Sequence, residues 1–178
     1  SAIDENSGST VTITATLSVA TFQDVTVSID GTGGTGTEGT DFGTVSDITI
    51  SAGSTTGTAA VDPTDDSIYE GDETAGISIS GVSGGGASES GSQSVTITIT
   101  ENESAPTVTL TSSASSIAEN AGTSLTLTAT ISQVADEDVT VTIGTAGTST
   151  EGTDYTDGSG VVDDITISAG NTTGTVNF

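Results

Sequence analysis

The side chains able to do chemistry in this chain are nearly all carboxylates. Its 178 residues include 25 Asp and Glu but no Lys, Arg, His or Cys, and the net charge is −25. The acids gather in short runs: Asp62, then Asp65-Asp66 and Glu70, and later Glu101-Asn102-Glu103. Carboxylate and amide oxygens at such spacing suit hard divalent cations, which take six to eight oxygen ligands. Other chemistry is poorly served. Nucleophilic triads need a His or Lys base, and zinc sites need His or Cys. A glycosidase can run on two carboxylates, but aromatic platforms for a sugar are scarce, at 3% of residues. The chain is therefore expected not to be an enzyme. Nucleic acid is excluded as a direct partner, because neutralising phosphates takes cationic side chains. Direct binding to an anionic membrane is disfavoured for the same reason. Without Cys or Lys there is neither a disulfide nor a Lys–Asn isopeptide bond to rigidify the fold, which leaves multivalent cations. The bland alternative is that the acid only solubilises the surface, in which case it would be scattered.

Placement depends on the elements that carry the acids. Apolar residues alternate with Thr or Ser in 11–17, 25–29, 48–50, 75–80 and 95–99, the pattern of half-buried antiparallel strands. A further strand is expected at 57–61. Gly-rich stretches, including Gly31 to Gly39 and Gly84-Gly85-Gly86, punctuate them. No helical periodicity stands out. The expected solution is an all-β sandwich of about seven strands per roughly 100 residues.

The chain also repeats itself. Glu5-Asn6-Ser7-Gly8, Asp24-Val25-Thr26-Val27, Gly39-Thr40-Asp41-Phe42 and Asp47-Ile48-Thr49-Ile50 return in order as Glu119-Asn120-Ala121-Gly122, Asp138-Val139-Thr140-Val141, Gly152-Thr153-Asp154-Tyr155 and Asp164-Ile165-Thr166-Ile167. A period with small slips marks duplicated modules. We expect one at 1–104, lacking most of its first strand, and a second, C-terminally incomplete, at 105–178, opening on a strand over 107–117. Successive strands run between two poles, so strand parity places Glu5, Asp41, Asp62, Asp65, Asp66, Glu70, Glu101, Asn102 and Glu103 at one pole. Asp47 and Asp164 fall on that side as second-tier ligands. Asp24 and Asp138 fall at the other pole, as strand-start or turn residues. Phe42, Tyr69 and Tyr155 read as core or loop anchors. By the same parity the chain leaves the first module at its acidic pole, through a short linker containing Pro106, so modules stack head to tail with a cation cluster at each junction.

These elements resemble the Calx-beta family. The resemblance rests on Glu5-Asn6-Ser7-Gly8, on Gly39-Thr40-Asp41-Phe42, on Asp65-Asp66-Ser67-Ile68-Tyr69-Glu70-Gly71-Asp72-Glu73, and on the closing Glu101-Asn102-Glu103. It implies tandem immunoglobulin-like antiparallel β-sandwiches that bind several Ca²⁺ ions at one end. It implies Glu5, Asp41, Asp65, Asp66, Glu70, Glu101 and Glu103 as ligands, with Glu73 structural. In the second module it reaches only Glu119 and Asp154. The closing trio departs from the family's all-Asp form.

The function expected on these grounds is a Ca²⁺-stiffened repeat of a secreted prokaryotic surface protein, such as an adhesin shaft, biofilm matrix component or extracellular filament. Its partners would be Ca²⁺ and neighbouring repeats or identical subunits. Three alternatives stand beside it: a filament subunit completed by strand donation between neighbours, a Ca²⁺-sensing domain of a membrane transporter, and a carbohydrate- or surface-binding tip module, against which the scarcity of aromatics speaks. The first residues carry no basic or apolar leader, and the chain reads as a window on something longer.

Overall fold

Alternating β-branched residues build the strands, and the faces they bury meet as two sheets. The computed structural model describes residues 1–119, 122–155 and 162–177. Asn120 and Ala121 of the second Glu-Asn-x-Gly element lie outside the described residues. The chain divides into two compact units, Ser1–Asp66 with Gly71–Asn102, and Ser67–Glu70 with Glu103–Phe178.

The first unit holds β1 (Ala2–Asp4), β2 (Val11–Thr16), β3 (Val25–Gly34), β4 (Ile48–Ile50), β5 (Thr56–Val61), β6 (Glu73–Ser83) and β7 (Ser94–Thr100). One sheet runs β1-β7-β6-β3-β4, and β2 pairs with β5 in the other. Val25, Val27, Ile48, Ile77 and Ile97 bury the inner face of the large sheet, with Ile13 and Ala59 of the small sheet packed against them. Phe42 is wholly buried in this core. All pairs are antiparallel except β1, which runs parallel to β7, matching Ala2 with Thr98 and Asp4 with Thr100.

The second unit repeats the plan with β8 (Val108–Ser112), β9 (Thr126–Ile131), β10 (Val139–Val141), β11 (Ile165–Ile167) and β12 (Thr173–Asn177). Its sheets are β12-β9-β8 and β10-β11. Ala129, Ile131, Ile165 and Ile167 form its core. The tetrapeptide Ser67–Glu70 belongs to this unit. The Tyr69 amide donates to the Val134 carbonyl at 3.0 Å, and the Asp136 amide donates to the Tyr69 carbonyl at 3.3 Å.

Three strand expectations need correction. The run from Gly31 reads as a loop, yet β3 continues through Gly34, and β6 starts at Glu73 rather than 75. The reason is a close approach of two backbones. After a register shift beyond Asp30, Gly33 pairs with Gly76 and Gly34 with Ala75. A Cβ on Gly76 would stand 2.5 Å from the Gly33 carbonyl carbon. Glycine is there to let strands touch, not to end one. Secondly, β8 stops at Ser112 and not at 117. The stretch of the first unit equivalent to Ser116–Ala118 is β1, whose ladder is with β7. No strand equivalent to β7 is described in the second unit. Thirdly, β1 itself is a short parallel strand that the alternation pattern does not reveal.

Candidate metal centre

Four loops and one strand end supply the acidic pole of the first repeat. Glu5 opens a single 3₁₀ turn, Glu5–Ser7, directly after β1. It is only 7% exposed. Asp41 sits in the turn after β3 and is 8% exposed. One of its oxygens accepts from the Thr37 amide at 2.6 Å, which fixes the turn. Its carbonyl accepts from the Thr64 amide at 2.9 Å, which ties this turn to the loop bearing Asp65 and Asp66. Glu101 follows β7. Its Oε2 accepts from the Gly71 amide at 2.8 Å, and its own amide donates to Asp72 at 3.0 Å.

These ties bring carboxylates together. One oxygen from each of Glu5, Asp66 and Glu70 lies within 4.8 Å of the others. The same holds for Glu5, Glu101 and Glu103, and for Asp41, Glu70 and Glu73. Glu5 and Glu70 are each shared by two groups, so the three form one chain of carboxylates. Asp65 stands beside them and accepts from the Asn102 side chain at 3.2 Å. Two oxygens on opposite sides of a Ca²⁺ ion are about 4.6–5.2 Å apart, given Ca–O distances of about 2.3–2.6 Å. Oxygen-only donors within this range of one another can share one hard divalent cation such as Ca²⁺.

Glu73 belongs to one of these groups, although from sequence it reads as structural. Its signal is the early start of β6, which turns it toward the same pole as Asp41. In the second repeat, Asp154 accepts from the Thr150 amide at 2.7 Å, the same turn bond that Asp41 makes. Asp154 and Glu119 line one open cleft of about 660 Å³, together with Leu110, Ile117 and Tyr155. They stand in none of the three carboxylate groups.

Asp47 and Asp164 are corrected from second-tier ligands to strand ties. Asp47 accepts from the Ile29 amide at 2.9 Å and the Ser28 hydroxyl at 3.1 Å, at the point where the β3–β6 register shifts. Asp164 makes the equivalent bonds to the Ile143 amide and the Thr142 hydroxyl. Each carboxylate thus takes up one backbone amide and one neighbouring hydroxyl, and in the first unit that amide lies at the β3–β6 register shift. Glu38 and Glu151 are tied likewise, to the amides of Val45 and Val162. Asp24 and Asp138 accept from the Ala52 and Ala169 amides at 2.8 Å, as turn residues do. Asp30 accepts twice from Thr32, and these bonds hold its carboxyl below the usual range. Replacing Asp47 by Ala is expected to lower stability by about 1 kcal/mol and to leave Ca²⁺ affinity unchanged. Urea unfolding and titration calorimetry on the one variant check both halves.

The chain matches the Calx-beta domain family twice, over residues 1–103 and residues 101–178. Among solved structures it is similar to the calcium binding domain CBD12 of CALX1.1, at 18% identity and a TM-score of 0.50, covering all of this chain and 71% of that one. CBD12 from CALX1.2 aligns with a TM-score of 0.48 at 18% identity, over 99% of this chain and 69% of that one. No curated protein sequence matches.

Proposed function

This chain belongs to the Calx-beta domain family, and on that premise we propose that its first repeat binds Ca²⁺ through Glu5, Asp41, Asp65, Asp66, Glu70, Glu73, Glu101 and Glu103. The observation that carries the reading is the linked set of carboxylate groups, drawn from segments far apart in sequence and joined through the buried Glu5 and through Glu70. In a scattered solubilising surface, acids would not converge in this way. Glu119 and Asp154 are the corresponding ligands of the second repeat. A donor set of carboxylates alone is suited to binding, and we assign it no catalytic step.

Without cations these carboxylates repel one another, so ion binding is stabilising free energy. Stiffening of each repeat at the point where the chain leaves it, at Glu101 and Glu103, suits a load-bearing tandem array. The absence of Cys, the Thr- and Ser-rich strands and the near-verbatim duplication support a structural repeat of a secreted prokaryotic surface protein. The extracellular milieu would keep such sites filled, since extracellular modules bind at about 10⁻⁴–10⁻³ M.

Thermal unfolding in EDTA and then in 10 mM Ca²⁺ tests this. At about ten to a hundred times the dissociation constant, each site adds about 1.4–2.7 kcal/mol. That raises the first unit's melting temperature by about 6–20 °C per site. Mg²⁺ should give much less, and an Asp65→Asn/Asp66→Asn variant should lose most of the rise. Identical melts in EDTA and Ca²⁺ would reduce the acidic pole to solvated surface.

A further inference from the structure

The two repeats carry the same loop at the pole opposite the acids, and only one of the two is covered. In the second unit the loop is Val134–Asp136, and Ser67–Glu70 is paired to it through Tyr69. Three bonds identify its counterpart in the first unit. The Gly170 amide donates to Ala135 at 2.9 Å, as the Gly53 amide donates to Thr21 at 2.8 Å. The Ile131 amide donates to Thr172, as the Leu17 amide donates to Thr55. Asp138 takes the Ala169 amide, as Asp24 takes the Ala52 amide. Ala20, Thr21 and Phe22 therefore correspond to Val134, Ala135 and Asp136.

Burial differs between the two loops. Ala135 is buried and Val134 half-buried, whereas Ala20 is exposed, Val19 is 68% exposed and Phe22 fully so. The Val134 carbonyl and Asp136 amide are the two groups that Tyr69 engages. Among the described residues, their counterparts, the Ala20 carbonyl and the Phe22 amide, make no backbone bond. The sequences differ in a telling way as well. Residues 132–137 include Asp136 and Glu137, whereas 17–23 carry no charge and present Val19 and Phe22. An acidic segment meets less repulsion on the uncharged loop, and its apolar side chains meet more apolar surface there.

We propose that the Ala20–Phe22 loop is a docking site for a Ser67–Glu70-type segment of another Calx-beta module: a short extended peptide with an aliphatic–aromatic pair between acids. It binds as Tyr69 does, its aromatic residue's amide donating to the Ala20 carbonyl and that residue's carbonyl accepting from the Phe22 amide. The bonds involved are those of the Tyr69 backbone and no carboxylate oxygen, although Tyr69 lies between Asp66 and Glu70 of the carboxylate groups.

The test adds residues 1–114 ahead of residue 1 of the full chain, so that a second Ser67–Glu70 precedes the Ala20–Phe22 loop at the natural spacing. Amide hydrogen exchange is compared with that of the 178-residue chain. The Phe22 amide should exchange at least tenfold more slowly in the longer protein, and a Tyr69→Pro change confined to the added repeat, which removes the donating amide, should abolish the slowing. Unaltered exchange in the strands of the added repeat shows that the variant is folded. Equal Phe22 exchange in the two proteins overturns the proposal, as does slowing that survives the Tyr69→Pro change. Concentration-dependent protection of Phe22 in the 178-residue chain alone would also overturn it, in favour of self-association through this apolar loop.

Discussion

Replacing Glu5 by Gln is expected to raise the melting temperature in EDTA and lower it in Ca²⁺, so that the two responses cross. Glu5 is 7% exposed and contributes an oxygen to the group with Asp66 and Glu70 and to the group with Glu101 and Glu103. Two like charges at this range repel by about 3.5 kcal/mol at an effective dielectric near 20. Water and counterions reduce that figure for the more exposed partners. Without cations the neutral amide relieves repulsion in both groups, and a gain of about 2–3 kcal/mol remains after the reduction. With cations the sign reverses. The amide keeps one oxygen donor but loses the charge and the option of bidentate binding, so two sites weaken together. A loss of at least about tenfold in affinity at each, or 1.4 kcal/mol, is the minimum expected. Asp65→Asn should show the same signs with smaller size, because Asp65 belongs to none of the three groups. Melting curves of the two variants in both conditions settle the matter. If Glu5→Gln were less stable in EDTA and kept its full Ca²⁺ response, Glu5 would be a structural residue.

Gly34→Ala should be among the most destabilising single substitutions in the first unit, at about 3 kcal/mol or more. Gly34 has φ +99°, and a Cβ there would stand 2.1 Å from the Thr74 carbonyl oxygen and 2.9 Å from the Gly76 amide. Neither neighbour can swing away. The Thr74 carbonyl is held by the Thr35 and Gly36 amides at 3.1 and 3.0 Å. Relief would require β3 and β6 to separate at the end where Glu73 and Asp41 stand. Ca²⁺ affinity should therefore fall along with stability, which a remote core lesion would not cause. Gly39→Ala is the control. Its φ is +90°, but nothing lies within 4 Å of the added Cβ, so it bears conformational strain alone, about 1–2 kcal/mol. Urea unfolding of both variants separates strain from collision. Equal losses would mean that the strands do not meet as described.

Most strands are legible in the sequence because one face of each is buried. β2, β4, β5 and β7 fall within one residue of their expected bounds, where Thr or Ser alternates with β-branched or small apolar residues. The convergence of Asp41, Asp66, Glu70, Glu101 and Glu103 near Glu5 follows from counting strand directions, since each antiparallel strand returns the chain to the pole it left. That argument fixes an end of the sandwich and no distance within it. It could not rank Asp65 against Asp66, and it kept Asp47 beside them as a second-tier ligand; the structure separates all three. Asp66 joins a carboxylate group, Asp65 bonds Asn102, and Asp47 is taken up by the Ser28–Ile29 backbone.

What the sequence by itself determined was the fold class, the duplication, the exclusion of cationic and thiol chemistry, and the pole where the acid gathers. Each is set by composition or by a pattern that can be counted along the chain. The tertiary structure decided the rest: that Gly31–Gly34 is strand, that β1 pairs in parallel with β7, that Glu73 stands with Asp41, and that Asp47 and Asp164 are ties. Each of these depends on which backbone lies alongside which, and a glycine or an aspartate reads the same in sequence whether it ends a strand or lets two strands meet.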